Sequence, residues 1–222
     1  MLTLIALLVM AVQFAGAQNY EVEYKVKFDP KGMAEIMGDD KDLPAEVKES
    51  IKNDFDNAEI YLSVNMSKDK EDTQFLKDKT KFELHIMGQT LDMSSMLETM
   101  ELSMYNDYTK MESYLKMDYQ GTKYLVKREY EGKNVFSPAE GTRTILGHEC
   151  KVMVDKDGSK IWYATDIPFE YSAYENVPGL VLAIEDDGMN STAVRITPNN
   201  KAFSLPKDVK IVTKEEMEKI MK

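Results

Sequence analysis

The feature that most constrains this chain is the alternation at residues 20–28, Tyr-Glu-Val-Glu-Tyr-Lys-Val-Lys-Phe, where every apolar side chain falls on one face and every charge on the other. An extended backbone sends successive side chains to opposite faces, so the segment reads as a half-buried β-strand. The same period recurs at Ile60/Leu62/Val64/Met66, Phe82/Leu84/Ile86, Met100/Leu102/Met104 and Leu115/Met117/Tyr119. It continues at Tyr124/Val126, Cys150/Val152/Val154 and Val194/Ile196. Leu180-Val181-Leu182-Ala183-Ile184 is apolar on both faces, which predicts a central strand with a helix over its second side. Gln120-Gly121, Glu131-Gly132, Asp157-Gly158 and Asp187-Gly188 supply turn residues between these runs. Short strands joined in this way predict a mainly β fold, one strongly curved antiparallel sheet of about eight to ten strands, half-barrel-like, with one or two helices.

Two helices are expected. Asp42-Leu43-Pro44 opens the first, with Pro44 in its first turn, where a missing N–H costs nothing, and Val47, Ile51 and Phe55 on one face. Thr213 with Glu216 three residues on forms a capping box for a C-terminal helix whose apolar side is Met217, Ile220 and Met221. No repeat or linker interrupts the chain, so residues 19–222 are expected to form a single curved β-sheet domain ending in that helix.

Residues 1–18 stand apart. Residues 2–14 are almost wholly apolar and Ala15-Gly16-Ala17 supplies small residues, so a signal peptide cleaved after Ala17 or Gln18 is expected, although no basic residue precedes the apolar run. That run is short for a membrane span, and no Cys follows it to carry a lipid. The expectation is a periplasmic or otherwise exported protein, soluble after cleavage, with no membrane span in the mature chain. The net charge of −11 falls entirely after residue 18 and disfavours nucleic acid as a partner. Cys150, the one cysteine, can form no internal disulfide and is expected to be buried.

Chemistry-bearing constellations are scarce. His85 and His148 sit in separate strands, Asp155-Lys156-Asp157-Gly158 reads as a hairpin turn, and no nucleophile–base pair or phosphate loop stands out. The expectation is therefore a non-enzymatic protein with no catalytic residue, metal or cofactor. Methionine is the outlier: fourteen of sixteen lie after residue 18, and seven lie between Met87 and Met117. Met93, Met96, Met100 and Met104 would share one side of a helix, while Met100/Leu102/Met104 would equally suit a strand. Thioethers can hold Cu(I), but adaptable apolar packing is the weightier reading. A flexible wall of Met87, Met93, Met96, Met100, Met104 and Met117 would accept an apolar ligand, such as a lipid or acyl chain.

One block carries a family likeness. It comprises Ile145-Leu146-Gly147-His148-Glu149-Cys150, then Trp162-Tyr163-Ala164-Thr165-Asp166-Ile167-Pro168, then Asn176-Val177-Pro178-Gly179-Leu180-Val181. In order and spacing it resembles the GLPGLI family of Bacteroidota envelope proteins. Gly147, Cys150, Trp162, Asp166, Pro168, Pro178, Gly179 and Leu180 match the family pattern, while Asn176 and Val177 stand where the family has Gly and Leu. The block is also similar to uncharacterised envelope domains of the LolA type, whose half-barrels hold acyl chains. The resemblance implies an envelope location and no established reaction, and leaves open an apolar ligand or a protein partner in an outer-membrane transport complex. From the residues alone, Trp162 is expected in the core and Pro178-Gly179 as a type II turn.

Overall fold

The computed structural model describes residues 19–29, 44–86, 88–94, 97, 102–130, 132–186, 188–199, 203 and 208–222. The expected leader and Met87, Met96 and Met100 lie outside these residues. Twelve strands form one curved sheet that does not close into a barrel, in the order β10-β11-β12-β14-β15-β1-β2-β3-β6-β7-β8-β16. Here β1 is Asn19–Phe28, β2 Ile60–Ser67, β3 Lys70–Phe75, β6 Met104–Asp107, β7 Glu112–Tyr119 and β8 Thr122–Arg128. The second half comprises β10 (Ser137–Ile145), β11 (His148–Val154), β12 (Lys160–Pro168), β14 (Gly179–Asp186), β15 (Met189–Asn199) and β16 (Lys210–Val212).

The strand predicted most strongly from sequence lies near the middle. From β1 the chain meanders outward to β8, crosses to the opposite edge at β10, and works inward until β15 pairs with the free side of β1. The pairing is antiparallel except for β16, which lies parallel to β8. A separate hairpin of β4 (Glu83–Ile86) and β5 (Gln89–Asp92) and a parallel pair of β9 (Asn134–Val135) with β13 (Tyr174–Glu175) complete the strands. Register shifts in β1–β15, β10–β11 and β12–β14 interrupt regular pairing, and such bulges add twist and bend strands. One shift skips Val194, so Ala193 is buried and Val194 exposed; the simple alternation read at Val194/Ile196 fails there.

Register defines an inner face. Val64, Thr73, Met104, Leu115 and Val126 oppose one another across β2, β3, β6, β7 and β8. On that face the first half of β1 joins Cys150, Ala164, Ile167, Phe169, Tyr171, Leu180 and Leu182 in one core. At its other end, Val26, Ile60 and Leu62 pack with Ile51 and Phe55 of α1 (Ala45–Asn57) and with Phe82, Leu84 and Leu97. Pro44 is the N-cap rather than a first-turn residue, and its carbonyl accepts from the Val47 and Lys48 amides. The terminal helix α2 (Lys214–Ile220) forms as expected: the Thr213 hydroxyl accepts from the Glu216 amide, the Glu216 carboxylate accepts from the Thr213 amide, and Met217 is buried on Leu115, Tyr124 and Val126.

β14 is apolar on both faces, but no helix among the described residues covers its second side. Phe136, Val177 and the ring of Tyr174, from the irregular segments on either side of β9 and β13, pack over Met153, Ile161, Val181 and Ile184. No helix among the described residues is long and apolar enough to cross a membrane.

Candidate binding cleft

The connection between β12 and β14, residues 169–178, builds the most developed site. Ile167 and Phe169 anchor it in the core, with Phe169 edge-on to Tyr20 at 5.3 Å between ring centres. The segment is then fixed from two directions. The Ser172 amide donates to the Lys68 carbonyl (2.8 Å), its hydroxyl donates to Asp69 (2.9 Å), and Lys68 pairs with Glu170 (2.8 Å), tying it to the β2–β3 turn. The Asn134 amide donates to the Ala173 carbonyl (3.0 Å) and β13 pairs with β9, tying it to the β8–β10 crossing.

Held in this way, residues 170–172 and 174–178 line an open cleft of 420 Å³ with Lys133 on the opposite rim. Tyr171 and Tyr174, edge-to-face at 5.3 Å between ring centres, form its aromatic part. Beneath them lies a carboxylate. Glu71 of β3 accepts from the Tyr108 hydroxyl (2.8 Å), from the Tyr171 hydroxyl and, on its other oxygen, from the Thr73 hydroxyl (2.6 Å). The Tyr108 and Tyr171 hydroxyls are 3.1 Å apart, and the Tyr24 hydroxyl nearby donates to the Val181 carbonyl (2.7 Å). Burial, and after it the Glu71 charge, pushes the phenols of Tyr108, Tyr171 and Tyr174 well above the ordinary tyrosine value. Tyr108 and Tyr171 therefore stay protonated and donate to the half-buried Glu71 carboxylate.

The matched block around this cleft is explained mainly by backbone and packing. Gly179 does not take a positive φ, so the expected type II turn is absent; the left-handed residue is Asn176 (φ 65°). Gly179 is needed for another reason. A Cβ there would stand 2.1 Å from the Ala164 carbonyl oxygen and 3.0 Å from the Tyr163 ring, because β14 enters the sheet flush against β12. Pro168 is opposite Gly179, Leu180 is fully buried, and Pro178 lines the cleft. Gly147 completes the Leu146–Gly147 turn between β10 and β11.

Cys150 is buried as expected, and burial raises its thiol pKa. His148 Nδ1 pairs with Asp166 at 2.9 Å. Trp162 packs against the main core from a half-buried position; its indole N–H donates to Glu185 (2.9 Å) and the Arg143 guanidinium lies over its ring at 4.3 Å. Arg143 also donates to Glu185 (2.8 Å), so an ion pair caps the part of the indole that the core does not cover.

Of the methionines in the expected wall, the described ones do not converge. Met93 packs against the α1 core and Met117 against the α2 core, whereas Met104 Sδ accepts from Arg128 at 3.4 Å. None of these three lines the cleft beside residues 176–178. Ser94 and Leu97 have helical backbone and Met104 begins a strand, so the methionine-rich segment changes conformation along its length. Among the described residues no three His, Cys, Asp or Glu side chains gather as metal ligands do. A second open cleft, 370 Å³, lies beside α1, where Asp54 accepts from both the backbone amide (2.7 Å) and the ring of His85 (3.0 Å).

No family model matches the chain, and neither does any curated protein. Among solved structures it is similar to PNGF-II in its C2 crystal form, at 16% identity and a TM-score of 0.49, over 92% of this chain and 33% of that one. The chain thus spans about a third of that protein's length.

Proposed function

We propose that this protein is an exported, non-enzymatic interaction module that holds an extended polypeptide segment in the cleft formed by residues 170–178 and Lys133. The carrying observation is the cleft itself: an open trough lined by tyrosines, backbone held by hydrogen bonds to two other parts of the fold, and exposed Asn176 and Pro178 on either side of the buried Val177. Rigid aromatic surfaces bordered by polar groups suit peptide recognition, because little conformational freedom is lost on binding. An enclosed apolar cargo finds less support: the described inner face is divided among packed cores, and Met93, Met104 and Met117 are dispersed.

The GLPGLI likeness is consistent with this reading and gains physical content from it. The hexapeptide's first position, Asn176 here, takes a left-handed conformation that glycine also suits, and its fourth, Gly179, has no room for a side chain. We therefore read the chain as a divergent relative of that family, with the signature building the cleft wall.

A photo-crosslinking residue placed at Asn176 tests the proposal in the native envelope, with Leu91 as a distant exposed control. The expected outcome is a discrete polypeptide adduct from position 176 alone that disappears with Tyr174→Ala. Adducts of lipid mass, or equal labelling from both positions, would contradict it.

A further inference from the structure

Two hairpin tips carry apolar side chains where the backbone disfavours them. Leu146 (φ 53°) and Met111 (φ 56°) take left-handed conformations that suit Gly, Asn or Asp, yet they are 46% and 68% exposed and join none of the packed cores of the described residues. The turn does not require leucine. Gln120-Gly121 forms the same two-residue loop (φ 52° and 74°, against 53° and 86° at Leu146-Gly147) with a polar residue in first place. The other exposed large apolar side chains among the described residues lie on strands or at the end of α2, none at positive φ. Strain that gains no internal contact points to a use outside the fold. Strand pairing sets both tips at one end of the sheet, since β10 and β6 run in the same direction; the turns at Gln120-Gly121 and Asp155–Ser159 lie at the other end.

We infer that this end of the sheet is a contact surface for a folded protein partner, with Met111 and Leu146 as apolar anchors on either side of the cleft segment; this rests on the polypeptide-binding reading above. The β6–β7 turn is joined directly to the cleft. The Tyr108 amide donates to the Asp69 carbonyl (2.9 Å), the Asp69 carboxylate accepts from the Ser172 hydroxyl (2.9 Å), and the Tyr108 ring meets Tyr171 at 5.5 Å. On the other side Ile145, the neighbour of Leu146, packs in the core that holds Phe169 and Tyr171. The end of β12, where the cleft segment starts, lies between the two tips in strand order. β10 and β6 stand eight strands apart in that order, roughly 38 Å along the curved sheet, which is on the scale of a standard protein–protein interface. Protruding apolar anchors need pockets to receive them, and a folded surface has pockets where a lone extended segment has none. A lipid surface fits less well. Charges of both signs pair beside the tips, Lys110 with Asp107 and Lys68 with Glu170, and the net charge of −11 repels anionic head groups. The same charge opposes a second copy of the chain.

The test places a photo-reactive residue in turn at positions 111, 146 and 176, with position 120 at the opposite end as control, in the native envelope. The captured protein is then identified from its peptides, purified, and titrated against the parent chain and its variants. One polypeptide of the same mass should be captured from 111, 146 and 176 and not from 120. Leu146→Asn combined with Met111→Gly should weaken binding of that purified protein about tenfold or more. Leu146→Asn alone creates Asn-Gly, the pair such a turn prefers, so its urea midpoint should rise while its affinity falls. A midpoint that falls instead would make Leu146 a structural residue and overturn the inference. Capture from 176 alone, or affinity unchanged in the double variant, would also overturn it while leaving polypeptide binding in the cleft intact. Adducts at 111 and 146 of lipid mass, or of twice the mass of this chain, would overturn it in favour of a membrane surface or a second copy. Absence of any polypeptide adduct from 176 would overturn the cleft reading and the inference with it.

Discussion

The inner face of the sheet is covered differently at its two ends. Beside α1 the cover is apolar: Phe55 meets Phe82 at 4.9 Å and Phe28 at 5.9 Å between ring centres, over Val26, Ile60 and Leu62. At the other end an irregular segment does the covering: Phe169 stacks on Tyr171, whose hydroxyl joins that of Tyr108 on the Glu71 carboxylate. Hydrophobic contact alone suffices for the first end, and any well-fitting apolar set would do. The second end commits several hydroxyls and a charge to one geometry, so each group must be satisfied by the others. Polar investment of this kind beside an open cleft is where specific recognition is to be sought.

The comparison can be broken in graded ways. The largest expected effect is Gly179→Ala, whose Cβ would collide with the Ala164 carbonyl; since that atom belongs to the sheet backbone, we expect a loss on the order of 4 kcal/mol in urea unfolding, or no folded protein. Phe55→Ala should cost about 3 kcal/mol by the same measurement while leaving peptide affinity within twofold, which separates the stabilising end from the binding end.

Alkaline titration sharpens the contrast. Tyr108, Tyr171 and Tyr174 have raised pKa values in the folded protein, so the unfolded chain releases these protons first. Their contribution to stability is complete below the unfolded value of about 10 and is lost progressively as pH rises beyond it toward the folded values. The urea midpoint should therefore fall between about pH 9.5 and 11.5, and Tyr108→Phe with Tyr171→Phe should flatten that fall; equal slopes in variant and parent would count against the network. Thr213→Ala, which removes the hydroxyl half of the capping box far from either end, should cost about 1 kcal/mol. Smallest is Lys68→Ala, which removes an exposed, solvent-screened pair with Glu170 and should leave the urea midpoint almost unchanged.

Much of the architecture was legible because it depends on local pattern. Alternation in residues 20–28 marked a strand that proved central, the capping box located α2, and the doubly apolar run identified β14. Where a bulge reset the parity, as at Val194, the pattern misled, since a skipped residue depends on the partner strand and leaves no local mark. Gly179 was noticed for the wrong property: its nearness to the Ala164 carbonyl exists only once β12 and β14 pair. Trp162 was read correctly as packing against the core, but its polar cap was not legible, because Arg143 and Glu185 come from other strands.

The cleft was least legible. Glu71 is one of 39 acidic residues, and its partners Tyr108 and Tyr171 lie 37 and 100 positions away. The available signal was one of kind, twelve tyrosines in 222 residues, less conspicuous than the sixteen methionines.

The most direct test of the central claim, that ligand contact belongs to the tyrosine cleft rather than to a methionine-lined interior, is an NMR titration observing backbone amides and methionine methyls together. A peptide selected on the protein should shift the amides of Lys133, Tyr171, Ser172, Glu175 and Asn176 and leave the Met93, Met104 and Met117 methyls in place, while palmitate should shift neither set. Palmitate moving those methyls in a saturable manner, with the cleft amides silent toward the peptide, would contradict the account.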